Sequence, residues 1–173
     1  MTRMFKVHLL LAAVSLLPAH ALAVERLEPV AGVHIECHPG PCLDAAQFIT
    51  ARQAWQMKRS LGDDMLLVDI RGRAEAFFAR MPSGADAQVA FMEPVPQLAW
   101  NVAAQEPELE IRLDFVHKLD EVMRALRIPY DRPVVLMSPA PGQAVVAALL
   151  LQENGFSRVY VVREGFDGRM AQR

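Results

Sequence analysis

Met65-Leu66-Leu67-Val68-Asp69-Ile70 is an apolar run broken by a single aspartate near its end. A strand with one wet face alternates apolar and polar residues, whereas a run without alternation belongs to a strand covered on both faces. Val134-Val135-Leu136-Met137 and Val159-Tyr160-Val161-Val162 read the same way. Helical patterns lie between these runs. Thr50 and Gln53 make a capping-box start and Gly62 a stop, so the spacing predicts a helix between them that buries Ala54, Trp55 and Leu61. Ala74 to Met81 suits a short helix. Asp114 is placed to cap an amphipathic helix in which Phe115, Leu119, Val122 and Leu126 recur at helical spacing. Gly142 to Asn154 is an Ala/Leu/Val helix stopped by Gly155. Buried strands alternating with helices define an α/β fold with a mostly parallel sheet.

The chain has 173 residues, 53% apolar and 22% charged, which suits one globular domain and argues against a disordered or collagen-like chain. The formal net charge is −2 and no basic tract occurs, so the electrostatic footprint of a nucleic-acid or anionic-membrane binder is missing. Two cysteines are too few for a disulfide-dense scaffold. Residues 1–23 read as a secretory signal: Arg3 and Lys6 form a positive start, Val7 to Leu17 is nearly all apolar, Pro18 ends that run, and Ala21-Leu22-Ala23 is a small-x-small cleavage site. The apolar run is roughly half the ~20 residues of a spanning helix. Removing the signal takes away two basic residues and no acid, leaving a net charge of −4. The expected location is periplasmic, with no membrane attachment after cleavage, in a compartment that permits disulfides.

Ligands on open α/β sheets bind beyond the carboxyl ends of the strands. Two such ends are Asp69-Ile70-Arg71 and Ser138-Pro139-Ala140-Pro141-Gly142-Gln143. Asp69 and Arg71 also have a plain structural reading, in which Asp69 caps the next helix or ties down a loop and Arg71 pairs with Glu75. Ser138 would need a base to become a nucleophile. His117 is the only histidine after the N-terminal segment. It lies beside Lys118, off the apolar stripe, and reads as a solvated helix residue. The flanking sequence is no Gly-x-Ser-x-Gly elbow either.

Three stretches together resemble a rhodanese-type domain, over about residues 46–168. The first is Leu67-Val68-Asp69-Ile70-Arg71 with Arg73-Ala74-Glu75. The second is Val134-Val135-Leu136-Met137, a six-residue loop, then Ala147-Ala148, Leu151 and Gly155-Phe156. The third is Val159-Tyr160-Val161-Val162 with Gly165-Phe166-Asp167-Gly168. The resemblance implies a central, mostly parallel five-stranded sheet flanked by helices on both faces, with the domain at 46–170 and an irregular insertion near 82–113. It also implies a loop whose first residue is a cysteine that takes up sulfur as a persulfide, cradled by loop N–H groups and a helix N-terminus. Ser138 stands at that cysteine's position, and Gln143 stands where many members carry arginine. A serine hydroxyl is not ionised as a thiol partly is, and forms no stable persulfide. Pro139 and Pro141 lack N–H groups, so the cradle loses two donors. The loop reads as a retired catalytic loop: no catalytic residue, cofactor or metal is assigned. Ser138, Ala140, Gly142, Gln143, Asp69 and Arg71 are the candidate ligand-binding residues in a shallow pocket, for a small sulfur-containing anion.

Residues 24–45 read as an extended arm containing His34-Ile35-Glu36-Cys37-His38-Pro39-Gly40-Pro41-Cys42. Three readings of it stay open: a Cys37–Cys42 disulfide around the Pro-Gly-Pro turn, a metal site of two thiolates and two imidazoles, and a redox or sulfur-carrying thiol. Residues 81–100, with Met81, Phe91, Met92 and Trp100 among prolines, are long for a linker and read either as a covering flap that fills core gaps or as a partner surface. The function expected is that of an exported, non-catalytic rhodanese-like module that binds a periplasmic protein partner. The alternatives are a sulfurtransferase or carrier using Cys37 or Cys42, and a metal-handling protein acting through the arm.

Overall fold

The computed structural model describes residues 43–44, 47–95, 100–103 and 105–165. The signal segment, the Cys37/Cys42 arm and Phe166-Asp167-Gly168 lie outside the described residues. In chain order the elements are β1 (Phe48–Ile49), α1 (Ala51–Leu61), β2 (Leu66–Asp69), α2 (Arg73–Ala79), β3 (Ala87–Gln88), β4 (Met92–Pro94), β5 (Trp100–Asn101), β6 (Glu106–Pro107), β7 (Leu109–Ile111), α3 (Phe115–Leu126), β8 (Val134–Met137), α4 (Pro141–Glu153) and β9 (Val159–Val162).

Five strands form one sheet in the order β1-β9-β8-β2-β3, with every pairing parallel. The three apolar runs are β2, β8 and β9, the central strands, and β2 is buried at all four positions. Alternation divides the core into two layers. Leu66, Val68, Val134, Leu136, Val159 and Val161 face Phe115, Leu119, Met123, Ala147 and Leu151 of α3 and α4. Leu67, Val135 and Val162 face Ala54, Met57 and Leu61 of α1 on the other side. Helices thus cover both faces, which is why the central strands carry no polar stripe.

The helix signals have local causes. The Thr50 hydroxyl accepts the Gln53 N–H at 3.1 Å while the Gln53 side chain accepts the Thr50 N–H at 2.7 Å, a complete capping box. Gly62 ends α1 at φ +54°. Three sequence readings need correction. Trp55 is exposed, its ring under the Arg59 guanidinium at 4.7 Å. The buried stripe of α3 is Phe115, Leu119 and Met123, while Leu126, the last residue of the helix, is exposed where the covering layer ends. Asp114 sits at the N-cap of α3 without a side-chain capping bond. Its carboxylate instead takes Arg112 Nε and Nη2 at 3.1 and 3.0 Å.

The insertion is not a structureless flap. β4 and β7 pair antiparallel, as do β5 and β6, so the chain runs out and back as a hairpin arm between β3 and α3. Among the described residues its root joins the core, through Val89 and Phe91, with Met92 packed against them.

Candidate functional site

Along the sheet β2 is followed by β3 on one side, and the chain then crosses to β8 on the other. The carboxyl ends of β2 and β8 therefore flank the point where strand order reverses, the usual ligand crevice of such sheets. Both strand ends singled out in the sequence are there. Asp69 pairs in register with Met137, and the Ile70 N–H donates to the Met137 carbonyl at 2.9 Å.

Their side chains part company, however. Asp69 follows the alternation of Leu67 and turns to the α1 face, whereas Ser138 follows Val134 and Leu136 and turns to the face covered by α3 and α4. Period-two alternation sends in-register neighbours one residue apart to opposite sides. Asp69 and Arg71 form a buried ion pair, 0% and 2% exposed. Arg71 Nε lies 2.9 and 3.0 Å from the two carboxylate oxygens, Nη2 lies 2.6 Å from Oδ2, and the Arg71 N–H donates to Oδ1 at 3.1 Å. Arg71 Nη2 also donates to the Arg80 carbonyl, and the Gln88 amide donates to the Arg71 carbonyl, both at 2.6 Å. The Arg71 guanidinium thus ties the end of β2 to the end of α2, and its backbone carbonyl ties it to β3. The expected Arg71–Glu75 pairing is replaced by this one: the Glu75 carboxylate accepts the Gly72 N–H at 3.0 Å at the start of α2.

The Ser138 loop is closed on itself. Ser138 is 1% exposed, and its hydroxyl donates to the Ala140 carbonyl at 2.5 Å. That carbonyl also accepts the Gln143 N–H at 3.1 Å. Pro141 occupies the first position of α4, where a missing N–H costs the helix nothing but leaves one donor fewer for an anion. Gly165 packs against the back of the loop. A Cβ there would lie 2.6 Å from the Pro139 carbonyl oxygen and 3.1 Å from that of Ser138, and its φ is +64°. Glycine meets both demands, close approach and a left-handed backbone. Ala140 and Gly142 are exposed and Gln143 is half-buried, so the outward part of the loop is backbone and one neutral amide.

Two clefts open elsewhere. One, of about 260 Å³, lies between the β3–β4 link and α3 and is lined by Arg73, Glu93, Arg112, Asp114, Lys118 and Glu121. Its charges cancel in pairs: Arg73–Glu93 at 2.8 Å, Arg112–Asp114 at 3.0 Å and Lys118–Glu121 at 2.7 Å. The bond to Arg112 holds the Asp114 carboxyl below its ordinary range, and the bond to Lys118 does the same for Glu121. Arg112 and Lys118 are pushed up in return. Arg73 and Glu93 are 20 residues apart on different elements, so nothing local marked them as neighbours. The other cleft, about 380 Å³, follows Glu110 to Asp114. His117 is an exposed helix residue 3.1 Å from Glu121. Among the described residues no group of three or more His, Cys, Asp or Glu is placed to hold a metal ion, and no helix is long and apolar enough to cross a membrane.

The sequence matches no family model and no curated protein sequence. The chain is similar to several solved structures at low sequence identity. One is EanB, as the Y353A variant in complex with ergothioneine, at 15% identity and TM-score 0.46 over 70% of this chain. Another is a polysulfide-sulfur transferase homodimer from Wolinella succinogenes, at 18% identity and TM-score 0.39 over 70% of this chain. A third is the 3-mercaptopyruvate sulfotransferase SseA of Escherichia coli, described as having the "Rhodanese" fold, at 18% identity and TM-score 0.39 over 66% of this chain. The chain spans 29% of the first, 70% of the second and 40% of the third.

Proposed function

We propose that this chain is an exported rhodanese-like module in which the loop after β8 has lost sulfur-transfer chemistry, and that it serves to bind or assemble a protein partner outside the cytoplasmic membrane. The observation that carries the reading is Ser138: buried, with its hydroxyl proton committed to the Ala140 carbonyl. In sulfur transfer from thiosulfate a thiolate attacks the outer sulfur, an S–S bond forms and sulfite leaves. The serine oxygen is neither ionised nor presented, and among the described residues no histidine or carboxylate is bonded to it. Around it, Pro139 and Pro141 withhold two N–H groups, and Gln143 brings no charge to an arriving anion.

A thiosulfate-to-cyanide assay tests the reading, with the wild type, Ser138→Cys and Cys37→Ser run together. The wild type is expected to be silent. Turnover by Ser138→Cys alone assigns the loss to one atom in an otherwise competent loop. Turnover by the wild type overturns the proposal, and its disappearance in Cys37→Ser would move the chemistry to the N-terminal segment.

A further inference from the structure

The cleft of about 260 Å³ opens beyond the carboxyl end of β3, on the side of an α/β sheet where ligands bind. One wall is anchored to the sheet: Val89 is buried, and its N–H donates to the Asp69 carbonyl at 2.9 Å. Another wall is α3, through Lys118, Glu121 and Val122. Charge of alternating sign runs around the cleft. Its three ion pairs stand in series, since Glu93 also acts through space on Arg112, and Asp114 on Lys118. The Arg112–Asp114 and Lys118–Glu121 pairs are open to water and such pairs are weak. The Arg73–Glu93 pair differs, because it is incomplete. Glu93 is 8% exposed and takes the Arg73 N–H and Nε through Oε1 alone, at 3.0 and 2.8 Å. Among the described residues nothing bonds its Oε2, nor the two Nη groups of Arg73, whose side chain is 76% exposed. A largely desolvated carboxylate oxygen and an open guanidinium fork, side by side, lack the partners that such groups normally hold.

We propose that this cleft binds a small zwitterion of the α-amino-acid type, its carboxylate on the Nη edge of Arg73 and its ammonium on Glu93 Oε2. Charge eliminates the other classes. A polyanion would meet the carboxylates of Glu93, Asp114 and Glu121, and a polycation would meet Arg73, Arg112 and Lys118. A neutral apolar molecule would strip water from all of them and return no hydrogen bond. A ligand that carries both signs on one carbon atom completes Arg73 and Glu93 together and strands neither. The guanidinium fork matches a carboxylate with two parallel bonds. Val89, Ala90 and Val122 offer the ligand's side chain an apolar contact. The volume lies below the usual range of drug-sized pockets, which suits a single amino acid. The site is separate from the Ser138 loop and stands or falls apart from the function proposed above.

Titration of the purified chain with L-valine, followed by amide NMR shifts, decides the matter. Saturation is expected with a Kd of about 1 mM, with the shifts centred on Val89, Ala90, Lys118 and Val122. Isovalerate keeps the carboxylate and loses the ammonium, and isobutylamine does the reverse. Each is expected to bind about tenfold more weakly than L-valine, or worse. Arg73→Gln should weaken L-valine by a similar factor, whereas Arg59→Gln, on α1, should leave it unchanged. Thermal melts verify that both variants fold, and the two analogues test the charge requirement in the wild type without any substitution. No saturation by about 20 mM L-valine overturns the proposal. Isovalerate or isobutylamine binding as tightly as L-valine overturns it too, by reducing the cleft to a site for one sign of charge. Undiminished binding in a folded Arg73→Gln has the same force.

Discussion

Replacing Asp69 with alanine removes one half of the most deeply buried ion pair among the described residues. Arg71 would lose its contacts to both carboxylate oxygens while its side chain stays 2% exposed. Stranding one member of a buried pair costs about 3–5 kcal/mol, a large share of the 5–15 kcal/mol that holds a domain together. With an m-value of about 2 kcal/mol per molar, the urea midpoint should drop by about 2 M at unchanged slope. The companion variant, Asp69→Leu with Arg71→Met, removes both charges and fills much of the volume, so it should recover most of the loss. Equilibrium urea unfolding followed by circular dichroism measures both. A loss under about 1 kcal/mol in Asp69→Ala, or a double variant as unstable as the single, would refute the claim that this pair ties β2 to the end of α2 by charge in a dry setting. Thiosulfate sulfur transfer by Ser138→Cys should survive either change in proportion to the folded fraction, because Asp69 and Ser138 project from opposite faces of the sheet.

Gly165→Ala should destabilise more than Gly155→Ala. Both sites have positive φ, at +64° and +90°, but only at Gly165 would the new methyl meet backbone, 2.6 Å from the Pro139 oxygen. The left-handed strain alone is about 1–2 kcal/mol; equal thermal shifts for the two variants would mean that Gly165 does not brace the Ser138 loop. For the cleft beside α3 the expectation concerns acid. Asp114 and Glu121 have depressed folded-state pKa values through Arg112 and Lys118. Their pairing therefore favours the fold above the unfolded-chain values and is lost as pH falls through the folded ones. A carboxyl-carbon NMR titration should find both below the ordinary range. Arg112→Gln should raise Asp114 and leave Glu121 in place, and an unmoved Asp114 would break the assignment.

Where chemistry was local, the residues announced it. The capping box needs only Thr50 and Gln53, three apart, and the stop needs only Gly62. The apolar runs of β2, β8 and β9 needed no partner to reveal that both of their faces are covered. The reading went astray where a side chain had two partners on offer. Asp114 could cap α3 or pair with Arg112, and Arg71 could reach Glu75 or Asp69; spacing along the chain does not rank such options, whereas burial and bond geometry do. Trp55 fell on the wrong side of its helix for a related reason, and Leu126 lies uncovered at the last position of α3. A stripe of apolar residues specifies a face only to within one position, and which flank is covered depends on the neighbouring layer.

The sequence by itself determined the α/β class, the three central strands, the helices that cover them, and the serine that stands at the head of the loop after β8. These follow from periodicity, caps and residue type, all readable within a dozen residues. Tertiary structure alone decided that Asp69 and Ser138, one register step apart at adjacent strand ends, face opposite layers. It alone closed the Ser138 loop against Gly165, and it turned an irregular, proline-rich stretch into a hairpin. Those outcomes depend on strand register and on contacts between residues far apart in the chain, and no local pattern encodes a register until the partner strand is in place.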